Sequence, residues 1–122
     1  MSVRADVATA VNTAAIPGVT GVEWAPPART AGMVWAQWAR STPHQKLGVC
    51  VGFEEEWDVI LTLPATDQAS TATARDQWCH PVMVAVSPLG LLGDANPTGV
   101  IVDDGGASIP AVTLKLTVRT TT

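Results

Sequence analysis

Carboxylates form the densest chemistry-bearing groups in the sequence. Glu54, Glu55 and Glu56 run together with Asp58 close behind, and Asp103 and Asp104 make a second cluster. Oxygen donors at this spacing suit Ca²⁺ or Mg²⁺, but the alternating ligand pattern of an EF-hand is absent and no glycine is placed to fold the chain around an ion. Both clusters read instead as charged connections at strand ends, the first a turn that discourages edge pairing and the second, with Gly105-Gly106, a hairpin turn. Cys79-His80 offers a nucleophile beside a base. Neighbours on a helix point about 100° apart, however, whereas a catalytic pair needs its side chains within hydrogen-bond reach. A core thiol and a partly exposed imidazole are the simpler reading. His44 has no second His or Cys at a zinc-ligand spacing. Phosphate-cradling loops, nucleophile elbows and dinucleotide fingerprints do not occur. The sequence therefore predicts no enzyme, metal or cofactor, with a thiol hydrolase using Cys79 with His80 or His44 as the alternative.

Tryptophan is the other distinctive residue, with five copies and no tyrosine. Trp78 and either Trp57 or Trp24 are expected in the core. Trp35 and Trp38 stand an odd number of residues apart in one strand, so they point to opposite faces. One of them must face away from any helices packed on that sheet. Tryptophan and arginine are enriched at the energetic centres of interfaces, which makes Trp35, Trp38 and Arg40, and Trp38 beside Arg40 above all, the predicted contact with another chain.

The elements that hold these residues follow from spacing. Residues 2–15 read as a helix capped by Ser2, with Asp6 near its positive end and Val3, Val7, Ala10, Val11 and Ala14 on one face. Pro17-Gly18 ends it. Strands are expected at Val22–Ala25, Met33–Arg40, Leu47–Phe53 and Trp57–Leu63, with Ser41–Lys46 a polar loop and Glu54–Glu56 a turn. Met33–Arg40 is apolar on both faces, as in a sheet covered by helices on one side and a neighbouring subunit on the other. Thr66-Asp67-Gln68 opens a second helix whose inner stripe is Ala74, Trp78, Val82, Ala85 and Leu89, and Pro81 is expected to kink or split it. Gly90–Pro97 reads as loop. Gly99–Val102 and the strictly alternating Val112, Leu114, Leu116 and Val118 then form a closing hairpin. The order predicts one α+β domain over residues 1–122, with two helices on one face of a mainly antiparallel sheet.

Composition narrows the function. Hydrophobic residues make up 47% of the 122 and charged residues only 15%, which suggests apolar surface covered by a partner or by further copies of the chain. A net charge of −4, with seven Lys/Arg scattered singly, argues against binding DNA through its phosphates. The start of the chain lacks the apolar segment of a secretory signal. The apolar run Pro81–Gly93 is broken by prolines and glycines and falls short of the roughly 20 residues that span a bilayer. A soluble protein is expected, and Cys50 and Cys79 read as reduced thiols of a cytosolic product.

Four features in this order resemble the tail terminator proteins of long, non-contractile-tailed bacteriophages. They are the N-terminal helix Val3–Ala15, the Trp-Asp-Val-Ile-Leu-Thr-Leu-Pro strand at 57–64, a helix carrying inward Trp78, and a final Val/Leu/Thr-alternating strand after a polar turn. The resemblance spans nearly the whole chain. It implies helices packed on an antiparallel sheet and a hexameric ring that sits on the finished tail tube, ends its growth and receives the head's connector. It also implies a virion protein at the neck, made in the host cytoplasm, whose partners are its own copies, the tube protein and a head-completion protein. DNA would only pass through the channel, with Glu54–Glu56 and Asp103-Asp104 facing the lumen or the tube. A head-completion or stopper protein of the same neck is the nearest alternative, and a monomeric ligand-binding domain a more distant one.

Overall fold

Ser2 accepts a hydrogen bond from the Ala5 N–H at 3.4 Å, and the chain enters α1 (Val3–Ala14) as its capping residue predicts. Ala15 closes the helix in the left-handed region at φ 53°. Val7, Ala8 and Val11 are the buried residues of α1, while Ala14, expected on the inner face, is exposed. This is a computed structural model, and it describes residues 2–26, 30–65, 67–102 and 108–121.

Five strands form one sheet: β1 (Thr20–Gly21), β2 (Met33–Lys46), β3 (Val49–Thr62), β4 (Leu91–Val102) and β5 (Ser108–Thr121). Their spatial order is β1-β2-β3-β5-β4, with β1 parallel to β2 and every other pair antiparallel. The second helix, α2 (Gln68–Val86), lies between β3 and β4 in sequence. Both helices pack on the same sheet face. Val7 and Val11 of α1 and Ala74, Val82 and Val86 of α2 share one core with Val34, Val59, Leu61, Leu114 and Leu116. At about 1.5–3 kcal/mol for each large aliphatic side chain fully buried, this cluster is the main source of stability. The fold is the α+β architecture that the order of elements predicts.

Two polar links fix how the layers meet. Asn12 on α1 clasps the backbone of Gly21, its Oδ1 accepting from the Gly21 N–H at 2.8 Å and its Nδ2 donating to the Gly21 carbonyl at 3.0 Å. A side chain at position 21 would meet the Ala8 carbonyl oxygen at 2.6 Å, so only glycine lets α1 lie this close to β1. Thr62, fully buried, donates to the Thr30 carbonyl at 2.6 Å and accepts from the Met33 N–H at 2.9 Å.

Several elements differ from their sequence expectation. Only Thr20–Gly21 pairs as β1, and Val22–Ala25 is not strand but covers the far sheet face. Ser41–Lys46 is not a loop, because β2 continues to Lys46 and turns at Leu47-Gly48. Glu54, Glu55 and Glu56 lie in the middle of β3 rather than in a turn, because β3 is paired there with β2 on one side and β5 on the other, and Arg119 and Arg40 stand beside Glu54 and Glu56. Gly90–Pro97 is mostly strand, paired through Leu91 and Leu92 to Thr117 and Leu116. Pro81 neither ends nor splits α2, which runs unbroken to Val86. The missing hydrogen bond and ring clash cost about 3 kcal/mol, and core contacts on both sides of Pro81, from Ala74 and Trp78 and from Val82 and Val86, offset it. Val86 rather than Ala85 takes the inner position. The turn expected at Asp103–Gly106 lies outside the described residues, while the antiparallel pairing of Val102 with Ser108 on either side agrees with a hairpin.

Candidate interaction surface

The two longest strands behave differently along their length. Val34, Trp35 and Ala36 on β2 are buried, as are Trp57 and Val59–Leu61 on β3, but every residue of β2 from Gln37 onward is exposed. Among the described residues, β3 pairs with β5 from Thr62 as far as Gly52, opposite Thr121. Among the described residues, β2 and β3 continue beyond that register as a two-stranded arm to the pair Lys46 and Val49. At about 3.3 Å per residue, the stretch from Gln37 to Lys46 reaches roughly 30 Å past the last core residue of β2.

The root of the arm is held by pairs across the strands. Arg40 pairs with Glu56, Arg119 Nε lies 3.3 Å from Glu54 Oε2, and His44 Nε2 lies 3.5 Å from the same oxygen. Lys115 Nζ lies 2.6 Å from Asp58 Oδ1 on the sheet face away from the helices. These are solvent-facing contacts worth about 0–1 kcal/mol each, enough to favour register without forming a core. Glu55 accepts the Trp57 indole N–H at 3.0 Å, so none of the three glutamates lies in a loop. Asp103 and Asp104 lie outside the described residues.

The arm's tip is apolar. Leu47 is 98% exposed, and Val49, Val51 and Phe53 follow it as exposed residues on β3. Leu47 and Gly48 form a two-residue hairpin loop with φ of 54° and 79°, both positive as a type I′ turn requires. Such turns select Asn, Asp or Gly at their first position; a leucine held in the left-handed region gives up roughly 1–2 kcal/mol. Nothing lies within 4 Å of a Cβ built on Gly48, so that glycine serves the backbone angle alone. A strained leucine bare to water is an outlier of the kind that marks function.

The predicted interface residues divide. Trp35 and Trp38 do face opposite sides, but it is Trp35 that turns away from the helices, and it is 1% exposed beneath Val22, Ala25 and Met33 with Ile60 and Ala111. The chain's own segment covers that patch, so no neighbouring subunit is needed there. Trp38 sits on β2 opposite Trp57, 56% exposed, and its indole N–H donates to Ser41 Oγ at 2.9 Å. Arg40 follows a bulge that separates it from Trp38 in register. Sequence reading also missed a stack at the start of α1, where the Arg4 guanidinium lies 4.3 Å from the centre of exposed Trp24 and 5.0 Å from that of Trp57.

Cys79 and His80 both border a cavity of about 420 Å³ with Arg75, Asp76, Met83 and Ala95, and no hydrogen bond joins the two. Burial pushes the Cys79 thiol up, against a smaller opposing pull from Arg75, so it is held in the less nucleophilic protonated form. A larger cavity of about 560 Å³ opens at the end of the sheet remote from the arm, between the first turns of α2, Pro97 of β4 and the start of β5. Among the described residues no group of three or more His, Cys, Asp or Glu could hold a metal ion, and no helix is long and apolar enough to cross a membrane. Comparison with models of known families, with curated proteins and with solved structures finds no match to this chain, so its own geometry carries the functional reading.

Proposed function

We propose that this chain is the subunit of a homo-oligomeric ring, and that the ring is the tail terminator of a long, non-contractile phage tail. The observation that carries the reading is the end of the β2–β3 hairpin, where Leu47, Val49, Val51 and Phe53 are exposed, with Trp38 exposed further back along β2. An apolar projection of this kind belongs to a protein that finishes folding its surface against another protein. The helix, strands, helix, strands order with both helices on one sheet face also agrees with the architecture that the terminator resemblance implies.

In this reading the contact between copies falls on the hairpin end instead of the far sheet face that the sequence suggests. The far sheet face is not a bare apolar surface, because Val22 and Ala25 cover Trp35 and charged residues such as Asp58 and Lys115 occupy the neighbouring stretch. The arm and Trp38 are open apolar features, as are Trp24, Val84 and Leu91 elsewhere on the described surface. The open edges are guarded against simple strand addition: β2, past the two residues paired with β1, carries Pro43, Lys46 and a bulge near Ala39, and β4 carries Pro97 and two register shifts. Side-chain docking, not backbone pairing, is the favoured mode. A ring built in this way would end tube growth by covering the tube's terminal surface and offering no copy of it, which requires no chemistry.

Native mass measurement with and without assembled tail tubes tests the reading. A ring, free or on tube ends, together with arrested tube growth, is the expected result. A chain that stays monomeric in the presence of tubes overturns it, and a ring that leaves tube growth unchanged moves the assignment to a stopper protein of the neck.

A further inference from the structure

We propose that residues 22–25 form a strap that opens independently of the sheet it covers, and that Arg4 is the latch that keeps it shut. The strap follows directly on β1, whose ladder pairs with β2 end at Gly21. Gly21 is fixed by the Asn12 clasp, and the Val22 N–H donates to the Val34 carbonyl at 2.8 Å. From Val22 onward the segment has left the sheet. Its hold on the far face comes from Val22 and Ala25, two short, partly buried side chains packed against Trp35, Ile60 and Ala111.

The largest side chain of the strap takes no part in that cover. Trp24 is 68% exposed, and its ring meets the Arg4 guanidinium at 4.3 Å. Arg4 stands in the first turn of α1, and its second ring neighbour, at 5.0 Å, is Trp57. Trp57 is buried in the main core and fixed further by its indole hydrogen bond to Glu55. Among the described residues no carboxylate forms an ion pair with Arg4, so the two indole faces meet its charge. One ring is anchored and the other belongs to the strap, which makes the cation between them a link. The strap thus wraps the sheet edge, with Val22 and Ala25 on the far face and Trp24 tied to α1 and the core on the helix face.

Opening breaks only the strap's own contacts and leaves the shared core of both helices and the sheet intact, so it needs a fraction of the free energy of global unfolding. Closed, the strap hides Trp35 almost completely. Open, it bares that indole with Met33, Ile60 and Ala111, an apolar patch on the sheet face away from the helices. The latch lies on one face of the sheet and the patch it conceals on the other, so a change at the start of α1 is felt across β2.

Hydrogen exchange read residue by residue in the whole chain tests this, with the Val22 amide and the fully buried Trp35 indole N–H as reporters of the strap and the Val59 and Leu61 amides as reporters of the core. In the unaltered chain the strap reporters should exchange faster than the core reporters. Arg4→Ala should speed the strap reporters about tenfold, the size of a partly desolvated cation–π contact, and leave the core reporters unchanged. Trp24→Leu should do the same, and Arg4→Lys, which keeps a cation in place, should restore part of the protection. The double variant Arg4→Ala/Trp24→Leu should open the strap no further than either change alone, as for two groups that share one contact. A Trp35 indole that exchanges only at the core rate in every variant shows that strap and core open together, and overturns the proposal. Acceleration by Trp24→Leu but not by Arg4→Ala overturns Arg4 as the latch.

Discussion

The inner and outer halves of β2 and β3 are the same two strands held by different forces. The inner half, through Val34, Ala36, Val59 and Leu61, is strand because the helices bury one face and the Val22–Ala25 segment covers part of the other. The outer half has no such cover and keeps its form through ladder hydrogen bonds, cross-strand charge pairs and a tight turn. Burial selects residue type, so the inner half tolerates little change. Pairing selects only opposite partners, which leaves the outer half free to carry residues chosen for something outside the chain.

Amide hydrogen exchange puts this contrast to its hardest test. Core amides at Val34, Ala36, Val59 and Leu61 should open only with the whole molecule, while those of Thr42–Lys46 open locally, orders of magnitude faster. Equal protection would mean that the arm belongs to the core's cooperative unit. Substitutions sharpen the comparison. Leu114→Ala, at a fully buried site, should cost about 2–5 kcal/mol in urea unfolding. Thr62→Val leaves the Thr30 carbonyl and the Met33 N–H without the buried hydroxyl that serves both, and should cost about 1–3 kcal/mol by the same measurement. Arg40→Ala in the outer half of β2 should cost under about 1 kcal/mol. A larger loss there would show that the Arg40–Glu56 pair acts as a structural element and not as a register mark.

Elements whose cause is local could be read from the sequence. Ser2 and Asp67 announce their helices, the Ala74, Trp78 and Val82 stripe marks the inner face of α2, and the alternation of Val112, Leu114, Leu116 and Val118 identifies β5. Elements whose cause is distant could not. Glu54 is a strand residue because β5, far along the chain, pairs with β3 there and sets Arg119 opposite it, and three adjacent glutamates without that neighbour look like a turn. Ser41–Lys46 looks like a loop for the same reason, since its polar residues face β3 and water instead of a core. The opposed faces of Trp35 and Trp38 follow from parity alone, but which of them stays open depends on where residues 22–25 fold back, and no local spacing records that. The tip left no such mark: Leu47-Gly48 lacks the Asn, Asp or Gly that a two-residue turn selects at its first position, and a glycine inside an alternating apolar run reads as continuing strand.

The uninterrupted register of β3 against β5, from Gly52 opposite Thr121 to Thr62 opposite Ala111, gives the molecule a preferred mechanical axis. A pull directed along the arm loads those rungs in shear, all together, so yielding requires many hydrogen bonds to fail at once. A pull across the arm peels them one after another from the free end. The domain is therefore stiff lengthwise and compliant sideways, and neighbours that grip it by its tip and its far end would exert tension along the direction in which it is hardest to tear.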